Sequence, residues 1–366
     1  MSKAAELANL IGNINMGGGG VGRNLFINGA MNVAQRSTSE TGLGATAGYY
    51  TLDRWKTDFS STAGRLTMTQ DSSAPSGFAN SLKVACTTAD TSIAAGEQFT
   101  IEQSIEAQNC QSIAKGTADA KPLTLSFYCK ANANATYVAE LYAQDVDRRI
   151  SSLFSVTTDW TRVEITFPAD TTGVIADDNG SGIKVGLWLH AGSTYSGGTL
   201  QTTWAAASDN TRATGGDSFF DSTSRTFFIT GCQLEVGQNA TEFEHEPYAV
   251  TLRKSQRYYQ RIETNDGAPN YNGHINASAG SQIIVPLMVQ SRTPFTGITV
   301  TNVGSWGNVV YGSLNRTCNS ITFSNANTQM VLLDANDATG GFTIGQGCML
   351  YDASTDGVIE FTGAEL

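Results

Sequence analysis

The segment TRVEITF, residues 161–167, carries the pattern that decides the fold. Val163, Ile165 and Phe167 alternate with polar residues, which is the two-residue period of a strand with one buried and one solvated face. The same period recurs in FTIEQSI (99–105), KVGLWL (184–189) and TGCQLEV (230–236). Clusters of Gly, Asp, Asn and Ser separate these segments, and alternation of this kind is typical of antiparallel sheets. We therefore predict an all-β fold with a jelly-roll β-sandwich over residues 24–247.

Residues 3–15, KAAELANLIGNIN, have the period of a helix instead. The apolar positions recur at i, i+3, i+4 and i+7 and share one stripe, formed by Leu7, Leu10, Ile11 and Ile14. A helix this short is marginal alone in water, so its stripe needs a partner. The glycine-rich residues 17–22 that follow are typical of a flexible linker. Residues 1–23 are predicted to be an anchoring helix with its linker; packing of the helix on its own domain is the alternative.

Residues 248–262, YAVTLRKSQRYYQRI, interrupt the alternation and lack Gly and Pro. They are predicted to form a short linker helix whose basic residues pair with carboxylates of the same or a neighbouring subunit. Alternating segments such as SQIIVPLMV (281–289) return in residues 263–366, which are predicted to form a smaller C-terminal β domain. Its core looks thin for its length, which favours completion by neighbouring subunits.

The composition excludes several classes of function. The net charge of −11 and the pI near 4.7 would repel nucleic acid and an anionic bilayer. No apolar run approaches the roughly 20 residues of a membrane helix. Only 15% of the residues are charged, against roughly 25% in an ordinary globular protein, and such a surface suits subunit interfaces. The six cysteines have no CxxC spacing, so they are predicted to be buried thiols and not zinc ligands.

The motifs predict no catalytic residue, no metal site and no cofactor, so the chain is not expected to be an enzyme. The three histidines have no GxSxG nucleophile motif beside them. The acidic run EFEHE, residues 242–246, could hold a metal or a carboxylate pair for glycoside cleavage. Two carboxylates on one strand face would repel each other, however, which favours a structural role. The oxygen-rich turns 145–147 and 177–180 are expected to be solvated, with a structural calcium site as the alternative.

Two aromatic residues of one strand and one tryptophan beyond it are candidates for contacts outside the sandwich. Trp188 and His190 alternate with the apolar residues of KVGLWL and should leave the inner core, and Trp204 is expected to do likewise. An outward tryptophan can stack on a sugar ring or anchor a contact between subunits. The subunit interface is the favoured role in a chain with so few charges, and glycan stacking and local packing are the alternatives.

Three stretches, taken in order, resemble phage tail-fibre-like proteins. The first follows the pattern N-L-x-I-N-G-x-x-x-V-x-Q-R from Asn24 to Arg36 and continues with the D-R-W of residues 53–55. The second is the set LTLSFYCKA, TTDWTRVEITF and ITGCQLEVGQNATEFEHEPY. The third is the joining segment LRKSQRYYQR, and the chain closes on G-A-E-L. The resemblance covers residues 1–262 well and the remainder loosely.

This resemblance implies a structural virion protein of a tailed bacteriophage, made in the host cytoplasm and usually a homotrimeric fibre or spike. The sandwich of such proteins is related in shape to carbohydrate-binding jelly rolls. The implied partners are its own copies, another virion protein of the tail, neck or capsid bound through the N-terminus, and host surface polysaccharide. The sequence lacks a long collagen-like or β-helical shaft, so a capsid decoration or head fibre with no receptor role is an alternative. A free carbohydrate-binding module and a depolymerase are the competing classes.

Overall fold

The computed structural model describes residues 2–15, 22–263, 271–310, 314–352 and 356–366. The chain divides into two compact units, Met1–Leu252 with Leu366, and Arg253–Glu365. The helices are α1 (Lys3–Asn15), α2 (Ser193–Ser196) and α3 (Tyr248–Gln256). The helix predicted from the apolar stripe of residues 3–15 is therefore present. Residues 17–21 of the predicted glycine linker, residues 17–22, lie outside the described residues.

The first unit is a two-sheet β-sandwich. Its strands are β1 (Ser39–Leu43), β2 (Lys56–Ser60), β3 (Arg65–Asp71), β4 (Ser81–Thr88), β5 (Gln98–Glu106), β6 (Leu123–Ala131), β7 (Ala135–Ala143), β8 (Arg148–Val156), β9 (Thr161–Phe167), β10 (Ser181–Ala191), β11 (Ala205–Ala206) and β12 (Thr226–Val236). The first sheet has the order β1-β3-β4-β12-β6-β9 and the second β11-β8-β7-β10-β5-β2. The pairings within both sheets are antiparallel. The predicted all-β sandwich is confirmed.

The alternation seen in the sequence fills the space between the two sheets. Leu125 and Phe127 of the first sheet and Leu187 and Leu189 of the second belong to one buried apolar cluster. Their burial removes apolar surface from water, which is the main favourable contribution to folding. In TRVEITF only Phe167 is fully buried, because β9 is an edge strand of its sheet. The period therefore predicted which side chains face inward but not how deeply each is buried.

The motif from Asn24 to Arg36 forms a buried network that fastens the N-terminal segment to the sandwich. Asn28 Nδ2 donates to the carbonyl oxygens of Val33 and Asp53, and Asn28 Oδ1 accepts the Asn32 and Val33 amide protons. The indole of Trp55 donates to the Asn28 carbonyl oxygen at 3.1 Å. These bonds satisfy polar groups that would be costly to bury alone. The residues that carry the family resemblance thus have a structural role here.

Gly29 brings this motif into direct contact with β12. Its carbonyl oxygen accepts the Cys232 amide proton at 2.9 Å. A Cβ atom at position 29 would lie 2.1 Å from the Cys232 carbonyl oxygen, which is shorter than any van der Waals contact. The approach of the two backbones is therefore possible only without a side chain at this position.

The second unit contains a closed barrel and a small sheet. Its strands are β13 (Gln260–Glu263), β14 (Tyr271–Ala277), β15 (Gly280–Pro286), β16 (Gly297–Thr301), β17 (Trp306–Val310), β18 (Leu314–Ala326), β19 (Met330–Asp337), β20 (Gly347–Asp352) and β21 (Val358–Thr362). The barrel has the order β14-β15-β19-β18-β17-β20, and the small sheet has the order β13-β21-β16. Ile283, Trp306 and Leu333 are fully buried in an apolar core. The unit thus has a core of its own, contrary to the thin core expected from the sequence; completion by neighbouring subunits stays a prediction.

The predicted linker helix, residues 248–262, is only partly helical. Helix α3 ends at Gln256, and Gln260–Glu263 pair with β21 as the strand β13. Gln260 and Ile262 are buried, so this short segment follows a period of two. The boundary between the two compact units, Leu252 to Arg253, falls within α3.

Among the described residues, no helix is long and apolar enough to span a bilayer.

All six cysteines are free and buried, as predicted. Burial raises the pKa of the Cys110, Cys129 and Cys318 thiols to about 12. The reactive form of cysteine is the thiolate, so these groups act as small apolar side chains.

We expect Gly29→Ala to lower the stability of the sandwich by about 3 kcal/mol, since the new methyl group must displace the β12 backbone. Thermal or denaturant unfolding measures the change. Gly96→Ala is the matched control, because a Cβ at Gly96 meets no atom within 4 Å. Equal unfolding midpoints for the two variants would contradict the close approach at position 29.

Candidate functional site

The outward face of the second sheet brings together most of the polar and aromatic side chains that could contact a ligand. On β10, Lys184, Gly186, Trp188 and His190 alternate with residues of the inner core. Trp188 belongs to a separate apolar cluster with Val138 and Ala213. The prediction that Trp188 leaves the inner core is therefore correct.

Trp188 and His190 are nevertheless buried, at 2% and 1% exposure. The segment of residues 192–218, here called the cover segment, lies against this face of the sheet. Tyr195 packs on Trp188 with ring centroids 5.2 Å apart, and the Arg212 guanidinium lies 4.4 Å from the Trp188 ring centroid. Neither Trp188 nor His190 presents a surface to a sugar or to another subunit in this arrangement. The sequence prediction failed here because the cover segment has no periodic pattern that places it on the sheet.

Arg212 fastens the cover segment to β7. Its Nε and Nη2 atoms donate to the two carboxylate oxygens of Glu140 at 3.0 and 2.7 Å. Burial alone would lower the pKa of the Arg212 guanidinium, but the hydrogen bonds and charge of Glu140 outweigh burial and the pKa is raised. The side chains of Arg212 and Glu140 are 11% and 2% exposed. Such a bidentate pair, largely removed from water, fixes both position and orientation.

A row of side chains crosses this sheet beneath the cover segment. Gly186 lies opposite Glu102 on β5 and opposite Glu140 on β7, and Ser151 follows on β8. A Cβ on Gly186 would meet no atom closer than 3.9 Å, the distance to Glu102 Oε1 and to Trp188 Nε1. A small hollow therefore lies over Gly186 between two carboxylates.

The hollow has free hydrogen-bonding capacity at its border. Trp188 Nε1 borders the hollow and is buried without a hydrogen-bond partner within the part of the chain that the structure describes. The same holds for Ser151 Oγ, which lies two strands away. Glu102 Oε1 accepts hydrogen bonds from Lys184 Nζ at 3.1 Å and from the Thr100 hydroxyl at 2.8 Å. Indole donors and carboxylate acceptors of this kind match hydroxyl groups, either of water or of a sugar.

The carboxyl group of Asp58 shows how strongly this face is desolvated. Burial raises its pKa, and the negative charge of Glu102 raises it further. The positive charges of Lys56, Lys184 and Arg212 lower the pKa of Asp58 by a smaller amount. The basic residues thus offset part of the negative charge that the carboxylates bring to this face.

His190 forms a chain of hydrogen bonds that the sequence motifs did not reveal. Its Nδ1 lies 2.8 Å from Ser218 Oγ, and its Nε2 lies 3.0 Å from Glu97 Oε2. This order of groups resembles a nucleophile relay, in which the Nε2–H tautomer would leave Nδ1 free to accept the serine proton. Glu97 is 4% exposed, however, and Ser218 Oγ already accepts the Phe220 amide proton. The chain of bonds therefore fastens the end of the cover segment to β10.

Trp204 lies apart from Trp188 and His190. It is half-buried, packs against the core of the sandwich, and its indole donates to the Pro168 carbonyl oxygen at 2.8 Å. The Lys115 ammonium lies 5.4 Å from its ring centroid. The three predicted contact residues therefore do not form one surface.

The carboxylates of the acidic segments accept hydrogen bonds from backbone amides of the same chain. Glu244 accepts the amide protons of Gly22 and Asn24, and His245 packs against Phe243 with ring centroids 4.9 Å apart. Asp145 accepts the amide proton of Ala176, and Asp178 accepts the amide proton of Gly180 in its own turn. Across the described residues, no group of three or more His, Cys, Asp or Glu side chains is arranged to hold a metal ion.

The apolar stripe of α1 is at least partly uncovered. Leu7 is 56% exposed and Ile11 is 48% exposed, one helical turn apart. Leu10 and Ile14 lie within the same helix, but their side chains are outside the described residues.

Comparison with known proteins identifies no family. No family model and no curated protein matches the chain. Among solved structures, a family 4 carbohydrate-binding module shares 12% identity, with 57% of this chain and 97% of that chain covered and a TM-score of 0.29. A family 61 carbohydrate-binding module in complex with β-1,4-galactotriose shares 9% identity, with 59% and 99% covered and a TM-score of 0.32. The enzymatically active domain of tailspike protein 4 from bacteriophage CBA120 shares 10% identity, with 58% and 21% covered and a TM-score of 0.30.

Replacing Arg212 by Met should destabilise the sandwich by roughly 3–5 kcal/mol, because Glu140 is left buried without a counter-charge. The cover segment should loosen as well, so acrylamide should quench Trp188 fluorescence more strongly than in the native chain.

Arg225→Met is the matched control, since Arg225 makes a similar bidentate pair with Asp221, a residue 42% exposed. Its loss should cost about 1 kcal/mol or less. Equal losses in the two variants would show that the Arg212 pair has no special role.

Proposed function

We propose that this chain is a non-catalytic, structural subunit of a tailed-phage particle. It acts as a homotrimeric fibre or spike that attaches to another virion protein through α1 and directs its sandwich towards host surface glycans. The protein would be made in the host cytoplasm and would function on the virion. The ordered motifs from Asn24 to the joining segment 252–261 support this proposal through their resemblance to tail-fibre-like proteins.

The observation that carries the attachment is the exposure of Leu7 and Ile11 on one face of α1. A helix of 13 residues gains little stability by itself in water, and an uncovered apolar stripe adds a cost of hydration. Docking on a partner removes both penalties together. A short amphipathic helix with two or more apolar anchors is also a recurring mode of recognition between proteins.

The non-catalytic part of the proposal is supported by the pairing of the buried carboxylates. Glycoside cleavage needs one protonated carboxyl group and one free carboxylate on either side of a sugar. Glu102 and Glu140 instead each accept hydrogen bonds from a basic residue, Lys184 and Arg212 respectively. The oxygens of both carboxylates are therefore occupied by ion pairs within the chain.

The hollow over Gly186 favours glycan contact as the second candidate function, in the form of a free carbohydrate-binding module. Its unpaired indole donor and its carboxylates suit the hydroxyl groups of a sugar. Access would require displacement of Arg212 and the cover segment. The mass in solution discriminates between the two functions, because a free module would remain at the 38.8 kDa of the single chain.

Leu7→Asp together with Ile11→Asp should abolish incorporation into particles and leave the purified protein folded. Ala5→Asp together with Asn9→Asp is the matched control, because it adds the same two charges on the opposite side of α1. Immunogold labelling of particles grown with each variant measures incorporation and also separates tail, neck and head positions. Normal labelling of particles that carry the double variant would refute attachment through α1.

Incubation with host capsule or lipopolysaccharide should give co-sedimentation of the protein but no release of reducing ends. A reducing-sugar assay over several hours measures the second quantity, with a known polysaccharide-degrading enzyme as the positive control. Steady release of reducing ends that scales with protein concentration would establish a depolymerase and overturn the non-catalytic proposal.

A further inference from the structure

An apolar patch covers part of the outer surface of the barrel. Its members lie on β15, on β19 and just after β15, and are Ile284, Pro286, Met288, Met330 and Leu332. Ile284, Met288 and Met330 are 49%, 61% and 41% exposed. This set is called the barrel patch below.

The pairing of the strands makes the barrel patch continuous. Ile284 lies directly opposite Leu332, and Pro286 lies directly opposite Met330. Their neighbours along each strand, Ile283, Val285, Val331 and Leu333, point to the inside and are buried there. Contiguous apolar patches of this kind on a folded chain mark interaction surfaces, whereas single exposed apolar residues are ordinary.

The sequence of β15 shows the same property. SQIIVPLMV, residues 281–289, is nearly a continuous apolar run, which is typical of a strand buried on both faces. The barrel buries one face only. The outer face of β15 and β19 therefore has the composition of a surface that is covered in the assembled protein.

The charges around the barrel patch favour a second copy of the same chain as its partner. The strand row that runs through its centre is Ile284, Leu332 and Asn325, all of them uncharged. The next row carries one carboxylate, Asp334, which accepts a hydrogen bond from Gln282. Each chain carries a net charge of −11, so two copies repel each other over most of their surface. A contact between copies is least opposed where the surface carries no charge, because no carboxylate is then desolvated against another.

An open groove beside the barrel patch gives room for a protruding side chain of the partner. It has a volume of about 560 Å³ and is lined by Tyr271, Asn272, Gly273, His274, Ile284 and Pro286. The segment 264–270, which lies outside the described residues, reads TNDGAPN and offers only Ala268 and Pro269 as apolar groups. Its composition cannot bury the five side chains of the barrel patch.

We propose that the barrel patch is the contact between copies of this chain, with the patches of the subunits meeting around the symmetry axis of the oligomer. This inference rests on the proposed function, because it assigns a surface to the trimer. Closed symmetry is the usual arrangement of such homo-oligomers, and equivalent patches meet most simply at the axis.

The first test is the mass of Ile284→Glu in size-exclusion chromatography with light scattering. The native chain should have three times the 38.8 kDa of the single chain, and the variant should dissociate to 38.8 kDa at concentrations at least 100-fold above the native dissociation point. Met330→Glu should act in the same way and covers the case in which Ile284→Glu fails to fold. Ile344→Glu is the matched control, since Ile344 is 68% exposed and lies outside the barrel patch.

The second test uses the burial of all six native cysteines. In the full chain, Ile284→Cys introduces an accessible thiol, and mild oxidation should produce a disulfide-linked dimer on a non-reducing gel. Ile344→Cys should produce none at the same concentration. Cross-linking by neither variant, with a native oligomeric mass retained by Ile284→Glu, would overturn the barrel patch while leaving the trimer itself intact. A native chain that stays at 38.8 kDa at every concentration would refute the trimer and the barrel patch together, whereas attachment through α1 is judged separately by particle labelling.

Discussion

Every β-strand has two faces, and an apolar face lowers the free energy of the protein when something other than water covers it. In the sandwich the inner faces of the two sheets cover each other, which the alternation of residues such as Leu187 and Leu189 makes possible. The outer face of the second sheet is covered by residues 192–218. That cover brings Arg212 onto Glu140, whose carboxylate would be costly to bury beneath it without a cation beside it. The Arg212–Glu140 pair therefore fastens the cover segment to this face.

The same constraint shows why the period of two predicted the fold better than the site. The inward side of each strand is a local property, so Val185 and Phe127 could be assigned to the core from their neighbours alone. Burial of the outward side depends on segments that are distant in sequence. His190 forms hydrogen bonds with Glu97 and Ser218, which lie 93 and 28 residues away. The sequence around His190 does not predict either partner. Trp188 was correctly placed on the outward face, but its cover was not predictable.

Short segments set a second limit on prediction. Gln260–Glu263 contains too few residues for its period to be recognised, and the absence of Gly and Pro made a helix the natural interpretation. Its pairing with β21, about one hundred residues later, decides the outcome. Closure of the barrel depends in the same way on the pairing of β14 with β20. By contrast, the motif around Asn28 and Gly29 identified a real structural unit, because its hydrogen bonds are mostly local and its one close contact needs a glycine.

Two apolar surfaces are left uncovered in the described chain, and they differ in a way that fits two kinds of partner. The stripe on α1 belongs to a helix of 13 residues, which has little stability by itself in water and would gain stability from docking on a partner. The barrel patch lies on paired strands whose other face fills a packed core, so its shape is fixed before any contact forms. A fixed, uncharged surface suits repeated contact between identical subunits, since each copy presents the same geometry and little has to be ordered on binding. A short helix that gains its stability from docking suits the proposed single contact with another protein.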